Sequence, residues 1–254
     1  MPYFRGSRLS ILNYKKAGGL SDLPVPNGVS LWFDASDIST LFQDNTGLTP
    51  ITSDAQTIGL WKDKSGNGFD ISQSVAGRRP IYKVAIQNGK SGIQFTATQH
   101  MDSVQAFNTF SLTLFIASRR SATVGATMGI ISLTDSVSGG SRISFTGANV
   151  LNARVVTSSV TSATTGTVGA NIGYVGGMAV DSSNVTALLN TESVNTAHSS
   201  SSANRIIRVG GLNVNTTASL YSGDIYEILM YNSKLSSTDI TATIDYLNAK
   251  WALP

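Results

Sequence analysis

Short runs of alternating apolar and polar residues fill most of this chain, with the period of two that is typical of β-strands. Ile93 and Phe95, for example, alternate with Gln94 and Thr96. Residues 111–118 (SLTLFIAS) form a short apolar run bounded by polar residues, which predicts a buried central strand. The pattern predicts further strands over residues 29–34, 129–133, 142–145, 152–157, 173–180, 185–189 and 206–209. Many short strands separated by glycine-rich turns indicate a sandwich or a barrel.

One helix is predicted, over the segment that ends at Trp251. Its apolar residues fall at i, i+4, i+7 and i+11 and so share one face: Ile240, Ile244, Leu247 and Trp251. Ser236 or Ser237 can cap its first turn, where the helix dipole favours the acidic Asp239. We expect this helix to pack against a sheet edge or to close one end of the sandwich.

Residues 1–27 differ from the rest and predict an extended N-terminal arm. They carry four basic residues and no acid before Asp22. The residues expected to dock the arm on a neighbouring subunit are Tyr3, Phe4, Arg5, Arg8, Leu9 and Tyr14. A disordered tail is the alternative, because such a segment buries little apolar surface by itself. Residues 28–254 are predicted to form one domain: no linker follows Pro26, and the Ser- and Thr-rich stretch 157–167 is interpreted as a long loop.

Composition narrows the classes of function. The chain has no cysteine, which excludes a disulfide scaffold, a cysteine-ligated zinc site and a thiol nucleophile. Charged residues make up 13% of the chain, and the net charge is only +3 without a basic stripe interleaved with aromatic residues, so nucleic acid is not expected as a partner. No apolar run approaches the roughly 18–20 residues that span a bilayer, so no membrane partner is expected either.

Two groups of motifs carry a family resemblance. The first comprises residues 31–37 (LWFDASD), 61–68 (WKDKSGNG), 79–80, 88–89 and 93–95, and the second comprises residues 223–232 (GDIYEILMYN), 235–236 and 246–251 (YLNAKW). In this order they resemble the laminin-G-like, or concanavalin A-like, jelly-roll domains of phage and bacterial surface proteins. The resemblance implies an all-β fold: an antiparallel β-sandwich jelly roll with one short C-terminal helix, here preceded by the extended arm.

Such a domain behind a short basic arm resembles the virion structural proteins of tailed phages. That resemblance implies a non-enzymatic capsid decoration (cement) protein or a tail or fibre component, located in the virion and assembled in the host cytoplasm. Its partners would be the major capsid or tail proteins and further copies of itself, in a homo-oligomer such as a trimer. The alternative is a carbohydrate-binding, lectin-like module that recognises cell-surface glycans.

The acidic residues give little support to catalysis. Glucanases of the family that the chain resembles carry a strand pattern Glu-x-Asp-x-x-Glu, whose two glutamates act as nucleophile and acid. This chain has only Glu192 and Glu227, and neither stands in that pattern. Asp224 lies three residues before Glu227, which places the two on opposite faces of a strand. We therefore predict no enzymatic activity.

Two sets of residues are candidates for ligand binding, and the first is a loop. Residues 63–70 offer side-chain oxygens at alternating spacing from Asp63, Ser65, Asn67 and Asp70, partly like a calcium loop, although Ser74 stands where an EF-hand has its bidentate glutamate. A glycine turn held by Asx hydrogen bonds is the favoured interpretation, with a weak calcium site as the alternative and no other cofactor.

The candidate aromatic platforms for a sugar ring are Trp61, Tyr82 and Tyr174. Each of the three is also compatible with a position in the core or on the surface of a sheet.

Overall fold

The computed structural model describes residues 25–109, 111–121, 127–134, 140–156, 160–198, 203–212 and 219–254. The predicted docking residues of the arm (Tyr3, Phe4, Arg5, Arg8, Leu9 and Tyr14) lie outside these ranges. The described residues form two antiparallel sheets packed as a sandwich, with one helix close to the end of the chain. This confirms the all-β sandwich with a C-terminal helix.

Seventeen strands make up the two sheets in the described part of the chain. In chain order they are β1 (Val29–Asp34), β2 (Leu41–Phe42), β3 (Leu60–Trp61), β4 (Ile71–Ser72), β5 (Ile81–Gln87), β6 (Lys90–Phe95), β7 (Met101–Thr109), β8 (Leu112–Arg120), β9 (Met128–Thr134), β10 (Gly140–Phe145), β11 (Val150–Val156), β12 (Val160–Thr167), β13 (Gly173–Val180), β14 (Asn184–Leu189), β15 (Glu192–Ala197), β16 (Ala203–Val209) and β17 (Gly223–Tyr231). The helix α1 spans Ser237–Trp251.

Sheet A has eight strands in the order β15-β14-β13-β8-β17-β6-β5, and β1 also pairs with β17. Strand β17 pairs with β8 along one side, whereas on its other side residues 223–225 pair with β6 and residues 227–231 pair with β1. Sheet B has nine strands in the order β12-β11-β10-β9-β16-β7-β4-β3-β2. The first strand of the domain is thereby joined to its last strand.

The main core lies between the two sheets. Sheet A contributes residues such as Ile116 and Ile228, and sheet B contributes residues such as Ile143, all fully buried. Aromatic rings bridge the gap between the layers: the ring centroids of Phe145 and Tyr174 lie 5.4 Å apart, close to edge-on. Alternation along the strands therefore buries one face of each sheet in this core.

Helix α1 covers the outer face of sheet A and forms a second core there. Leu247 and Trp251 pack with Phe115 and Leu229 of the sheet, and the Trp251 ring stacks on Tyr226 with 5.2 Å between centroids. Both faces of β8 are consequently buried, in agreement with the apolar run over residues 111–118. The helix lies on a face of the sandwich and not at an edge or an end, because the outer face of sheet A is itself apolar.

The predicted loop over residues 157–167 was wrong for most of its length, since residues 160–167 form the edge strand β12. This strand pairs with β11, and of its alternating positions Ala163 is buried while Ser162 and Thr164 are exposed. Small polar residues give no alternation of apolar and polar character, so the pattern that reveals a strand is missing here.

None of the described residues forms a helix long and apolar enough to span a membrane.

We expect the Leu247→Ala variant to lose about 2–5 kcal/mol of unfolding free energy, because it leaves a cavity in the second core. Urea denaturation followed by tryptophan fluorescence measures the loss. Thr238→Ala, in the exposed first turn of the same helix, is the control and should change stability by less than about 0.5 kcal/mol. Similar stabilities for the two variants would mean that α1 does not depend on its packing against sheet A.

Candidate functional site

The three aromatic residues proposed as a sugar platform are all buried. Trp61 is 0%, Tyr82 3% and Tyr174 1% exposed. The Trp61 ring packs against Phe33 between the sheets, and the Tyr174 hydroxyl donates a hydrogen bond to Ser118 over 3.1 Å. Because these rings fill the core, they offer no face to a saccharide in this structure, and a glycan surface has to lie elsewhere.

The loop over residues 63–70 is held by hydrogen bonds to its own aspartates. The Asp63 carboxylate accepts from the backbone N–H groups of Trp32 (2.9 Å), Ser65 (2.9 Å) and Phe69 (3.1 Å), and from the Ser65 hydroxyl (2.7 Å). Asp70 accepts from the backbone N–H of Asp63 over 2.8 Å, and the Asn67 amide donates to a backbone carbonyl. These are the contacts of an Asx-stabilised turn. A calcium ion would have to replace several of them, and the calcium site stays a prediction.

Glu227 is the centre of a polar network between sheet A and helix α1. Its side chain is fully buried, and one carboxylate oxygen accepts hydrogen bonds from the Trp32 indole (2.8 Å) and the Tyr246 hydroxyl (2.9 Å). The other oxygen accepts from the Trp251 indole (2.8 Å) and lies 2.7 Å from the Lys250 ammonium. Burial raises the pKa of Glu227, and the Lys250 charge opposes this rise.

Asp34 extends this network towards the surface. It lies opposite Glu227 in the register of β1 and β17, and the Lys250 ammonium contacts both carboxylates, at 2.9 Å from Asp34. Lys64 lies 3.4 Å from Asp34 and 2.7 Å from Asp37. Burial works to raise the pKa of Asp34, but Lys250, Ser36 and Lys64 together hold it below the ordinary 3.8. Sequence reasoning missed this cluster, because its members come from four separate segments: residues 32–37, Lys64, Glu227 and residues 246–251.

Glu227 is not paired with a second carboxylate in the arrangement of a glycoside hydrolase. Glu192 lies on β15 and Glu227 on β17, four strand spacings apart, so their backbones are separated by about 19 Å. Paired catalytic carboxylates stand about 5–9.5 Å apart. Asp34 is nearer to Glu227, but Lys250 occupies the space between the two acids. Asp224 is engaged elsewhere, in an ion pair with Arg119. Glu227 is therefore held by Lys250 and three hydrogen-bond donors, and no room is left for a sugar ring between Glu227 and Asp34.

A groove of about 460 Å³ lies beside α1, over the hairpin of β14 and β15. Aliphatic side chains form part of its lining: Leu188, Leu235, Ile240 and Ile244. Polar side chains surround them: Thr186, Asn190, Thr191, Glu192, Ser193, Lys234, Ser237, Thr241 and Asp245. This volume and this mixture of apolar surface with a few polar groups are typical of small-ligand sites.

A hydrogen bond and an ion pair fix two polar side chains of the groove. Asn190 is held by its side-chain oxygen, which accepts a hydrogen bond from the backbone N–H of Val175 over 2.9 Å. Lys234 is held by an ion pair with Asp181 at 2.8 Å. On the helix side, Asp245 is exposed and has no ion-pair partner among the described residues. The groove thus presents both hydrogen-bond donors and acceptors beside an apolar surface.

Comparisons with known proteins give likeness in structure only. No protein-family model matches the sequence, and no curated protein matches it significantly. Among solved structures, domain 4 of AbnA, a GH43 extracellular arabinanase from Geobacillus stearothermophilus solved in complex with arabinotriose, is 11% identical with a TM-score of 0.60. The match covers 87% of this chain and 98% of that domain.

The sialidase of Trypanosoma rangeli gives a similar match. Its complex with the inhibitor DANA is 10% identical with a TM-score of 0.58, and its complex with sialic acid is 10% identical with a TM-score of 0.55. The two matches cover 91% and 90% of this chain but 34% of each sialidase chain, so this chain spans about a third of the sialidase. At such identities these likenesses show a shared β-sandwich fold.

We expect Glu227→Gln to lose about 1–3 kcal/mol of unfolding free energy, because the new amide group faces hydrogen-bond donors while Lys250 keeps its ion pair with Asp34. Glu192→Gln, at the exposed hairpin, is the matched control and should change stability by less than about 0.5 kcal/mol. Urea unfolding curves of both variants give the comparison. A Glu227→Gln protein as stable as the control would show that the buried network contributes nothing net.

Proposed function

We propose that this chain is a non-catalytic carbohydrate-binding module of the lectin-like type, and that it binds an oligosaccharide in the groove between α1 and the β14–β15 hairpin. The observation that carries the proposal is the groove itself, which has the volume of a small-ligand site and combines aliphatic with polar side chains. A domain with nearly the same span and a similar fold was solved in complex with arabinotriose, which supports a saccharide as the ligand.

The lining of the groove suits the chemistry of a sugar. The C–H faces of a sugar ring are apolar and can pack on Ile240 and Leu235, which are partly exposed in the groove, and this packing removes both surfaces from water. The ring hydroxyls both donate and accept hydrogen bonds, and Asn190, Ser193 and Asp245 offer both kinds of partner at the margin. The other charged side chains of the groove already have partners: Lys234 forms an ion pair with Asp181, and Glu192 accepts a hydrogen bond from the backbone N–H of Gly166. We therefore propose a neutral oligosaccharide as the occupant.

The absence of catalysis in this proposal rests on the acids already described. Glu192 lies at the groove, whereas Glu227 lies under the helix with every oxygen engaged. A hydrolase would need a second carboxylate within about 9.5 Å on the other side of the same sugar. Asp245 also lines the groove, and for this reason the test includes hydrolysis as well as binding.

We expect Thr241→Trp to fill the groove and to weaken glycan binding about tenfold or more, which corresponds to at least about 1.4 kcal/mol. Ala249→Trp is the matched control, because Ala249 is exposed on the same helix but outside the groove. A glycan array with the wild-type protein selects the ligand, and calorimetry then gives the dissociation constants of all three proteins.

Two results would overturn this proposal. One is the absence of binding to every arrayed glycan, and the other is equal weakening by Thr241→Trp and Ala249→Trp. Release of reducing sugar from the bound glycan, lost in Asp245→Asn, would overturn the non-catalytic part alone.

We propose as a second candidate a structural role in a phage virion, which the resemblance to tailed-phage proteins implies and which the composition of residues 1–27 suits. Four basic residues and several aromatic and aliphatic residues, without an acid before Asp22, suit an arm that docks on another protein. The virion role would be compatible with glycan binding, since a tail component can carry a receptor-binding domain. The capsid or tail partners, the oligomer and the location in the virion belong to this proposal.

We expect deletion of residues 1–26 to leave a folded domain that no longer joins the particle. Among the described residues the deletion removes only Val25 and Pro26, and since Val25 packs at the margin of the second core the melting temperature should fall only slightly. Mass spectrometry of purified particles measures incorporation, and its copy number relative to the major shell protein separates capsid decoration from a tail role. A control that replaces Tyr3, Phe4, Leu9 and Tyr14 by serine should fail in the same way. Unimpaired incorporation of the deleted protein would contradict the role of the arm.

A further inference from the structure

A row of charged and polar residues crosses sheet B from strand to strand. In the register of the sheet, Asp102 of β7 lies opposite Arg208 of β16, and Arg208 lies opposite Ser132 of β9. Ser132 lies opposite Arg142 of β10, and Arg142 lies opposite Arg154 of β11. Three arginines therefore share one row on one face of the sheet.

This row faces away from the core. Ser132 stands between Ile131 and Leu133, which are both buried between the sheets, so its side chain points to the outer face. The carbonyl of Gly211 accepts a hydrogen bond from the Ser132 hydroxyl over 3.2 Å, which shows that the chain after β16 passes over the row at this point. Arg142 and Arg154 lie beyond this crossing and are half-buried.

The two ends of the row differ in charge balance. Arg208 is neutralised by Asp102, whose two oxygens each lie 2.7 Å from a guanidinium nitrogen. Arg142 and Arg154 form no ion pair with any acid in the described ranges. Moreover, the Nε atoms of both side chains are buried without a hydrogen-bond partner. Two positive charges are thus left together on a partly enclosed surface.

Such a pair is unfavourable without a third group. Like charges directly opposite each other in antiparallel strands destabilise the sheet, because their Cβ atoms are only about 4.5–5.5 Å apart. Burial lowers the pKa of Arg142, and the charge of Arg154 lowers it further. An oxyanion between the two guanidinium groups would remove the repulsion and would accept hydrogen bonds from both.

The neighbouring side chains suit an anion that belongs to a saccharide. Ser144 and Asn152 lie on the same face, two residues along the strands from Arg142 and Arg154, but both are buried. Thr164 of the edge strand β12 lies opposite Asn152 and is exposed. Ser162 of the edge strand β12 lies opposite Arg154 and is exposed. The exposed hydroxyl groups of Ser162 and Thr164 can donate hydrogen bonds to sugar hydroxyls and accept hydrogen bonds from them.

We infer that Arg142 and Arg154 form a binding site for the oxyanion, a carboxylate or a phosphate, of an acidic glycan. This site lies on sheet B, away from α1, and does not depend on the groove proposed above. A failure of one site would leave the other untouched, since the two have no residue in common.

The test compares the full chain with Arg142→Gln, Arg154→Gln and the double variant. Lys90→Gln is the matched control, because it removes the same charge from sheet A. The probes are an oligogalacturonate for the carboxylate, a phosphorylated mannan for the phosphate and dextran as the neutral polymer. We expect one of the two acidic probes to bind the wild-type protein, and each arginine variant to bind it about ten- to a hundredfold more weakly. Lys90→Gln should bind this probe as tightly as the wild type does, and dextran should not bind.

Thermal unfolding separates a binding role from a structural role of the two arginines. Without a probe, the arginine variants should melt at the wild-type temperature or slightly higher, because the repulsion is relieved. The acidic probe should raise the melting temperature of the wild type and of Lys90→Gln, but not that of the double variant.

Three results would overturn the inference: no binding of either acidic probe, equal binding by the arginine variants and the control, or lower melting temperatures of the variants without any effect of the probe. Single-stranded DNA is included as a further polyanion. Tighter binding of DNA than of both glycans would also overturn it, in favour of a nucleic-acid surface.

Discussion

The buried carboxylate of Glu227 is the constraint on which the arrangement of sheet A and helix α1 depends. A carboxylate without water costs several kcal/mol unless donors surround it. Here the donors come from β1, through Trp32, and from α1, through Tyr246, Lys250 and Trp251. The helix can therefore sit on sheet A in only one register without leaving this charge unpaired. The apolar contacts of the second core remove the helix face from water, and the polar network fixes where the helix lies on sheet A.

That position has consequences on both sides of the sandwich. The C-terminal half of α1 is fixed over Glu227, while its N-terminal half lies beside the β14–β15 hairpin with the groove between them. Lys234 and Asp181 tie the segment before the helix to the turn after β13. On the outer face of sheet B the chain after β16 passes over Ser132, and none of the described residues forms a helix that packs there. One sheet thus uses its outer face for packing, and the other leaves two arginines half-buried there.

Much of the fold could be predicted from the sequence, but the sites could not. Alternation at Ile93 and Phe95 indicates a strand, whereas the small polar residues of β12 carry no such signal. The helix was clear from its apolar face, yet its place on sheet A depends on partners such as Trp32 and Glu227, which are 195 residues apart. The residue type of Trp61 is compatible with a sugar platform, but its ring is buried in the core, which the residue type alone does not reveal. The pairing of Arg142 with Arg154 depends on the register of a hairpin, which composition does not reveal.

The pairing of β1 with β17 has a consequence for biosynthesis. Trp32 and Glu227 are 195 residues apart, so at about 5–20 residues per second the first strand waits roughly 10–40 s for its partner to be translated. Leu31 and Phe33, which end in the core, are exposed to solvent and to neighbouring chains throughout that interval. Contacts so distant in sequence also close slowly once the partner is available. The native burial of Leu31 and Phe33 is therefore completed only after the last strand has been translated.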